Sequence, residues 1–108
     1  MKYLIALFVT LFATSSFAGW SGSTAITLIY PHSKNNTDGT VYVRFEKMIN
    51  PADCTYDTLI ALKKSNKLAS EIYSMILSAS YAGKELSYYV LDCDDHGYPV
   101  MEHVKLSL

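Results

Sequence analysis

The chain has 108 residues, half of them apolar and 18% charged, with a formal net charge of −1 and two cysteines. That length accommodates one small domain, and the apolar fraction excludes a chain that stays disordered. The near-neutral charge lacks the basic footprint of a nucleic-acid binder.

Met1 to Ala18 reads as a secretory signal peptide. Lys2 is the lone positive charge ahead of a ten-residue apolar run, Tyr3 to Phe12, too short to cross a bilayer as a helix. Ser16-Phe17-Ala18 places small residues at the two positions a signal peptidase reads, so cleavage is expected after Ala18. An uncleaved membrane anchor is the competing reading, and the shortness of the run disfavours it. No cysteine follows the run, which excludes lipoprotein processing. The expectation is a bacterial protein that is secreted or periplasmic, with no transmembrane anchor. Its single domain, Gly19 to Leu108, holds about 90 residues and is one unit more negative than the whole chain.

Within that domain, Thr24 to Tyr30 is β-rich, with Ile26, Leu28 and Tyr30 on one face and Ala25, Thr27 and Ile29 on the other. Pro31 is expected to end it, and His32 to Gly39 forms a polar turn. Thr40 to Glu46 alternates cleanly, with Val41, Val43 and Phe45 inward and Tyr42, Arg44 and Glu46 outward. After a loop at Asn50 to Asp53, Tyr56 to Leu62 reads as a third strand, although Leu59 to Leu62 also suits the start of a helix. Ser65-Asn66 offers an N-cap for a helix over Lys67 to Ala82, with Leu68, Ile72, Met75, Ile76 and Ala79 as its core stripe and Gly83 as terminator. Glu85 to Cys93 is a fourth strand with Leu86, Tyr88 and Val90 on one face, Asp94 to Gly97 a turn, and Val100 to Leu106 a fifth strand.

The fold class is therefore mainly β with one helix. The order β-β-β-α-β-β is that of a five-stranded OB-fold-like Greek-key barrel. In such a barrel the third and fifth strands run parallel, which brings the start of the third near the end of the fourth. Cys54 and Cys93 sit at those two places. An even pair of cysteines in a small exported domain predicts a disulfide. Closing that loop is worth roughly 4 kcal/mol on the chain-entropy account.

From Ser65 onward the pattern resembles the B subunits of pentameric-B bacterial toxins. It shares with the cholera toxin and heat-labile enterotoxin B subunits a helix, a phrase like Ser80-Tyr81-Ala82-Gly83-Lys84-Glu85-Leu86, a strand ending in cysteine, and Cys93-Asp94-Asp95-His96-Gly97-Tyr98-Pro99 leading into the last strand. Asp38-Gly39-Thr40-Val41-Tyr42-Val43 also fits, and the order of helix, glycine and strand is similar in the subtilase cytotoxin B subunit. The resemblance implies a ring of subunits that recognises a glycan or glycoprotein and carries an exported A-type partner subunit. Two departures stand against direct transfer. In the cholera-type subunits the strand-four cysteine pairs near the N-terminus, whereas here Cys54 is its one available partner. Their sugar-stacking tryptophan falls two residues after that cysteine, where this chain has Asp95. No sugar-binding residue is carried over.

Catalytic signatures are missing from the sequence: there is no nucleophile elbow, His-Glu-x-x-His helix or phosphate loop. No enzyme activity, cofactor or metal is expected. His96 beside Asp94 and Asp95 suggests an acid–base pair or metal site, but Asp and Gly are also what a solvated turn requires. Tyrosine is the anomaly, with nine in the chain. Its flat apolar face and polar tip suit sugar stacking and protein interfaces, or simply the rim of a small barrel. OB-type barrels bind on the face of strands two and three and at the flanking loops, which nominates His32, Asn35, Asn36, Tyr42, Arg44, His96 and Tyr98. Ala69, Tyr73 and Leu77 widen the apolar arc of the helix beyond what one barrel needs, which nominates them for a homo-oligomer contact. The expected function is a non-enzymatic binding module for a glycan or glycoprotein. The alternative is an exported protein-interaction or inhibitor domain acting as monomer or dimer.

Overall fold

The computed structural model describes residues 18–33 and 39–108. Residues 1–17, which hold nearly all of the expected signal peptide, and Asn35 and Asn36 lie outside the described residues. The elements in chain order are β1 (Gly19–Trp20), β2 (Ile26–His32), β3 (Thr40–Phe45), β4 (Ile60–Lys63), α1 (Ala69–Ala82), β5 (Ser87–Cys93) and β6 (Pro99–Lys105). The strands form one six-stranded sheet in the order β1-β5-β6-β4-β3-β2. Every pairing is antiparallel except β4 against β6, where Ala61 lies beside Val100 in parallel register.

The fold is thus mainly β with a single helix among the described residues. The ladder has six strands rather than five, and it stays open, with β1 and β2 as its edges. β1 was not foreseen, because two residues carry no periodicity to read. Gly22, at φ 78°, turns the chain out of β1. Residues between the two edges still bond to both sides of the sheet: Thr24 and Leu86 exchange backbone hydrogen bonds of 2.9 and 3.0 Å, and the Glu46 N–H donates to the Ala25 carbonyl at 2.9 Å.

One face of the sheet packs under α1. Ile72, Ile76 and Ala79 from the helix meet Val43, Phe45, Ile60, Leu62, Leu86, Tyr88, Val90 and Met101 from the strands. Each such fully buried aliphatic side chain stabilises by about 1.5–3 kcal/mol. Phe45 and Tyr88 stack at 4.1 Å between ring centroids. Tyr88 keeps its hydroxyl paired inside this core, donating to the Lys47 carbonyl at 2.8 Å and accepting from the Ile49 N–H at 3.1 Å. Burial pushes its phenol up to about 12, against the smaller opposing pull of the Ile49 amide.

Several element boundaries differ from the sequence expectation for local reasons. β2 runs through Pro31 to His32, which an edge strand tolerates because the missing N–H costs no ladder bond on its open side. A register shift between Ile26 and Leu28 lets both Ile26 and Ile29 reach the helix-side core, which simple alternation forbids. The third expected strand shortens to β4, because Asn50 ties down the chain before it: its Nδ2 donates to the Cys54 carbonyl at 2.9 Å and its Oδ1 accepts from the Cys54 N–H at 2.8 Å. α1 begins at Ala69, since the Asn66 side chain closes a separate turn by accepting from the Leu68 N–H at 2.8 Å. Leu68 therefore leaves the expected core stripe and is exposed. Gly83 ends the helix in the left-handed conformation, φ 68°, as expected.

Candidate functional site

The opposite face of the sheet carries a second, smaller cluster. Cross-strand register places Tyr30 opposite Tyr42, Tyr42 opposite Ala61, and Ala61 beside Val100. Ala61 extends no further than Cβ, so the Tyr42 ring has room to lie down across it. Tyr42, Ala61 and Val100 pack together, with Leu59 and Tyr98 against them. Tyr42 is consequently 1% exposed, a correction to its expected outward display. Both faces of β3 are covered at this point, one by α1 and one by loops.

Around Tyr42 the rings form a continuous strip. Tyr30 and His32 meet edge to face at 5.3 Å, Tyr30 and His32 reach Tyr42 at 6.3 and 6.2 Å, Tyr42 meets Tyr98 at 5.1 Å, and Tyr98 meets Tyr56 at 5.2 Å. These spacings are those of favourable ring pairs. The strip is exposed at both ends, Tyr30 at 44% and Tyr56 at 51%, and sealed in the middle.

Two loops hold the far end. The Cys54–Cys93 disulfide joins them, with 5.6 Å between the Cα atoms. The Tyr56 N–H donates to the Gly97 carbonyl at 2.8 Å. Gly97 sits at φ 92°, and a Cβ there would come within 3.0 Å of Thr55, so this close approach requires glycine. Within the β5–β6 turn, Asp94 Oδ1 accepts from the His96 N–H at 3.0 Å and the Tyr98 N–H at 2.8 Å. Asp95 at the tip pairs with Lys63 at 3.5 Å. Its own backbone N–H, and then Lys63, hold the Asp95 carboxyl below the usual carboxylate range.

Comparison with protein-family models, with curated proteins and with solved structures finds no match.

Of the residues nominated from sequence, the structure brings His32, Tyr42 and Tyr98 into one strip. Arg44 is exposed on β3, two residues along from Tyr42 and opposite Leu28. His96 stands exposed in the β5–β6 turn, two residues before Tyr98. Tyr30 and Tyr56 were missed. Tyr30 becomes a neighbour of Tyr42 only through the β2–β3 register, and Tyr56 had been placed within a strand rather than the stapled loop. On the helix, Leu77 is 43% exposed, whereas Tyr73 packs partly on the core and Ala69 is half-buried. No three His, Cys, Asp or Glu side chains come together in a metal-holding arrangement among the described residues. No helix among them is long and apolar enough to cross a membrane.

Proposed function

We propose that this chain is an exported, non-enzymatic binding module of the toxin-B-subunit kind, which recognises a glycan or glycoprotein through the aromatic strip. The observation that carries the reading is the run Tyr30–His32–Tyr42–Tyr98–Tyr56, anchored in its middle and open at its ends. Sugar rings present apolar C–H faces between hydroxyls. A row of phenols and an imidazole offers both a flat surface and polar tips. The rings are pre-positioned by packing and by the disulfide, so little side-chain entropy is lost on binding.

The scaffold fits a five-stranded OB-type barrel extended by β1. The order β2-β3-β4-β6-β5 contains the parallel pair β4·β6, and the Thr24–Leu86 bridge draws the two edges toward each other. In that frame Tyr30 and His32 belong to the first barrel strand and Tyr42 to the second, with Tyr56 and Tyr98 in the flanking loops. Assembly into a homo-oligomer is supported by Leu77 and Tyr81 on α1, Tyr81 being 98% exposed. A ring of this kind would seat an exported A-type partner subunit. The alternative, a protein-interaction domain acting as monomer or dimer, draws on the same exposed helix side chains.

A glycan array probed with the protein recovered after export tests the reading. Tyr98→Ala should weaken the best-bound glycan by about 1–3 kcal/mol with the fold intact. Unchanged binding by that variant would move the site elsewhere, and light scattering showing only monomer would remove the ring.

A further inference from the structure

The two cysteines of the disulfide are unequally placed. Cys93 ends β5 and is exposed, whereas Cys54 is 6% exposed and belongs to the packed loop before β4. Asn50 holds the Cys54 backbone on both sides, donating from Nδ2 to its carbonyl and accepting at Oδ1 from its N–H. Thiol–disulfide exchange requires a thiolate to reach one of the two sulfurs, so access decides which of them is attacked. An incoming thiolate therefore meets Cys93 first.

The chain segments that carry the two cysteines are also joined without the S–S bond. The Tyr56 N–H, just beyond Cys54, donates to the Gly97 carbonyl in the β5–β6 turn at 2.8 Å. Gly97 lies so close to Thr55 that an added Cβ would come within 3.0 Å of it. The rings of Tyr56 and Tyr98 meet at 5.2 Å. A Cys54 thiol released from the bond therefore stays beside Cys93, at a high effective concentration.

We infer that Cys93 Sγ is a site of reversible thiolation by small-molecule thiols, with Cys54 as the resolving cysteine. The incoming thiolate attacks Cys93 Sγ and forms a mixed disulfide with it. The Cys54–Cys93 bond breaks, and Cys54 Sγ leaves with the electron pair and takes up a proton from solvent. In the reverse direction the Cys54 thiolate attacks Cys93 Sγ and expels the small thiolate, which restores the original bond. The exchange consumes no oxidant, since one S–S bond replaces another at each step. Exposure of Cys93 governs the first step, and the proximity of the two loops governs the second.

The test treats the oxidised protein with 2-mercaptoethanol under folding conditions, with an acid quench at successive short times and peptide mapping by mass spectrometry. Extrapolated to zero time, the adduct should fall on Cys93 about tenfold more often than on Cys54, or more, because attack at Cys54 requires a local opening first. Adducts divided equally, or placed mainly on Cys54, would overturn the assignment. So would a bond that reacts only after denaturant is added. Adduct isolated in acid and returned to neutral pH without free thiol should reclose at a first-order rate independent of protein concentration. Persistence of the adduct, or its loss only through disulfide-linked dimers, would overturn the resolving role of Cys54. Two single variants read the same asymmetry independently. The Cys93 thiol of Cys54→Ser should react with iodoacetamide about tenfold faster than the Cys54 thiol of Cys93→Ser, or more. Equal rates in variants that are folded by circular dichroism would overturn the site, and if either variant fails to fold, the wild-type map decides alone.

Discussion

The two faces of the sheet are stabilised by different means. Beneath α1 the core is aliphatic and closed by secondary structure: Ile72, Ile76 and Ala79 descend on Val43, Ile60, Leu62 and Met101. Across the sheet the cluster is aromatic and closed by irregular chain, with Tyr98 and Leu59 laid over Tyr42, Ala61 and Val100. A helix brings its own backbone hydrogen bonds to the task of covering a core. Two loops do not, and here a disulfide, an inter-loop hydrogen bond and an Asx-type turn at Asp94 supply the missing rigidity. The first face is held by a helix, and the second by loops that are cross-linked to each other.

Removing the staple should break the comparison most severely. In Cys54→Ser/Cys93→Ser the 39-residue separation between the cysteines loses its cross-link. Chemical denaturation should then show a loss of roughly 4 kcal/mol. The intrinsic fluorescence of the Tyr56–Tyr98 region should change as well, while the helical signal in circular dichroism survives under folding conditions. An unchanged denaturation midpoint would mean that the loops are held without the bond.

Ile76→Ala probes the other face alone. Ile76 is fully buried under α1, and its truncation should cost about 3 kcal/mol by urea denaturation. Ligand affinity measured well below the melting temperature should stay the same, because no ring of the strip touches it.

Tyr88→Phe is expected to follow at about 2 kcal/mol, since it leaves the Ile49 N–H and the Lys47 carbonyl without their partner. It also sharpens the pH behaviour of that face. The folded protein holds the Tyr88 proton more tightly than the unfolded chain does, with the folded value pushed up to about 12 from 10.0. This contribution is therefore fully present below about pH 10 and is lost as pH rises toward 12. Alkaline denaturation of Tyr88→Phe should lack that part of the slope.

The smallest effect belongs to the tip of the stapled loop. Lys63→Gln should let the Asp95 carboxyl rise toward its ordinary range, followed by NMR titration. The Asp95 value is depressed in the folded state, so its contribution is present above the unfolded value and fades as pH falls through the folded one. Global stability should barely register the change, because surface pairs of this kind contribute little.

The helix-side face was largely legible in the sequence. Val43, Phe45, Leu86, Tyr88, Val90, Ile72, Ile76 and Ala79 follow strand or helix periodicity and are all buried. The pairing of Cys54 with Cys93 was legible too, from their number and from the topology. The loop-covered face was not. That Tyr42 is buried depends on Tyr98 and Leu59 arriving from distant loops, and periodicity within one strand carries no record of what covers its second face. The same limit hid Tyr56, whose position follows from a staple and a glycine contact rather than from any repeat. Arg44, with the same outward parity as Tyr42, is exposed, so parity alone does not separate the two.

The staple between Cys54 and Cys93 also makes the two faces of the sheet answer differently to redox conditions. Reduction would leave the loop before β4 tied to the β5–β6 turn by hydrogen bonds such as that from the Tyr56 N–H to the Gly97 carbonyl. Neither cysteine belongs to the helix-side core. A reducing agent should therefore loosen one side of the sheet and spare the other.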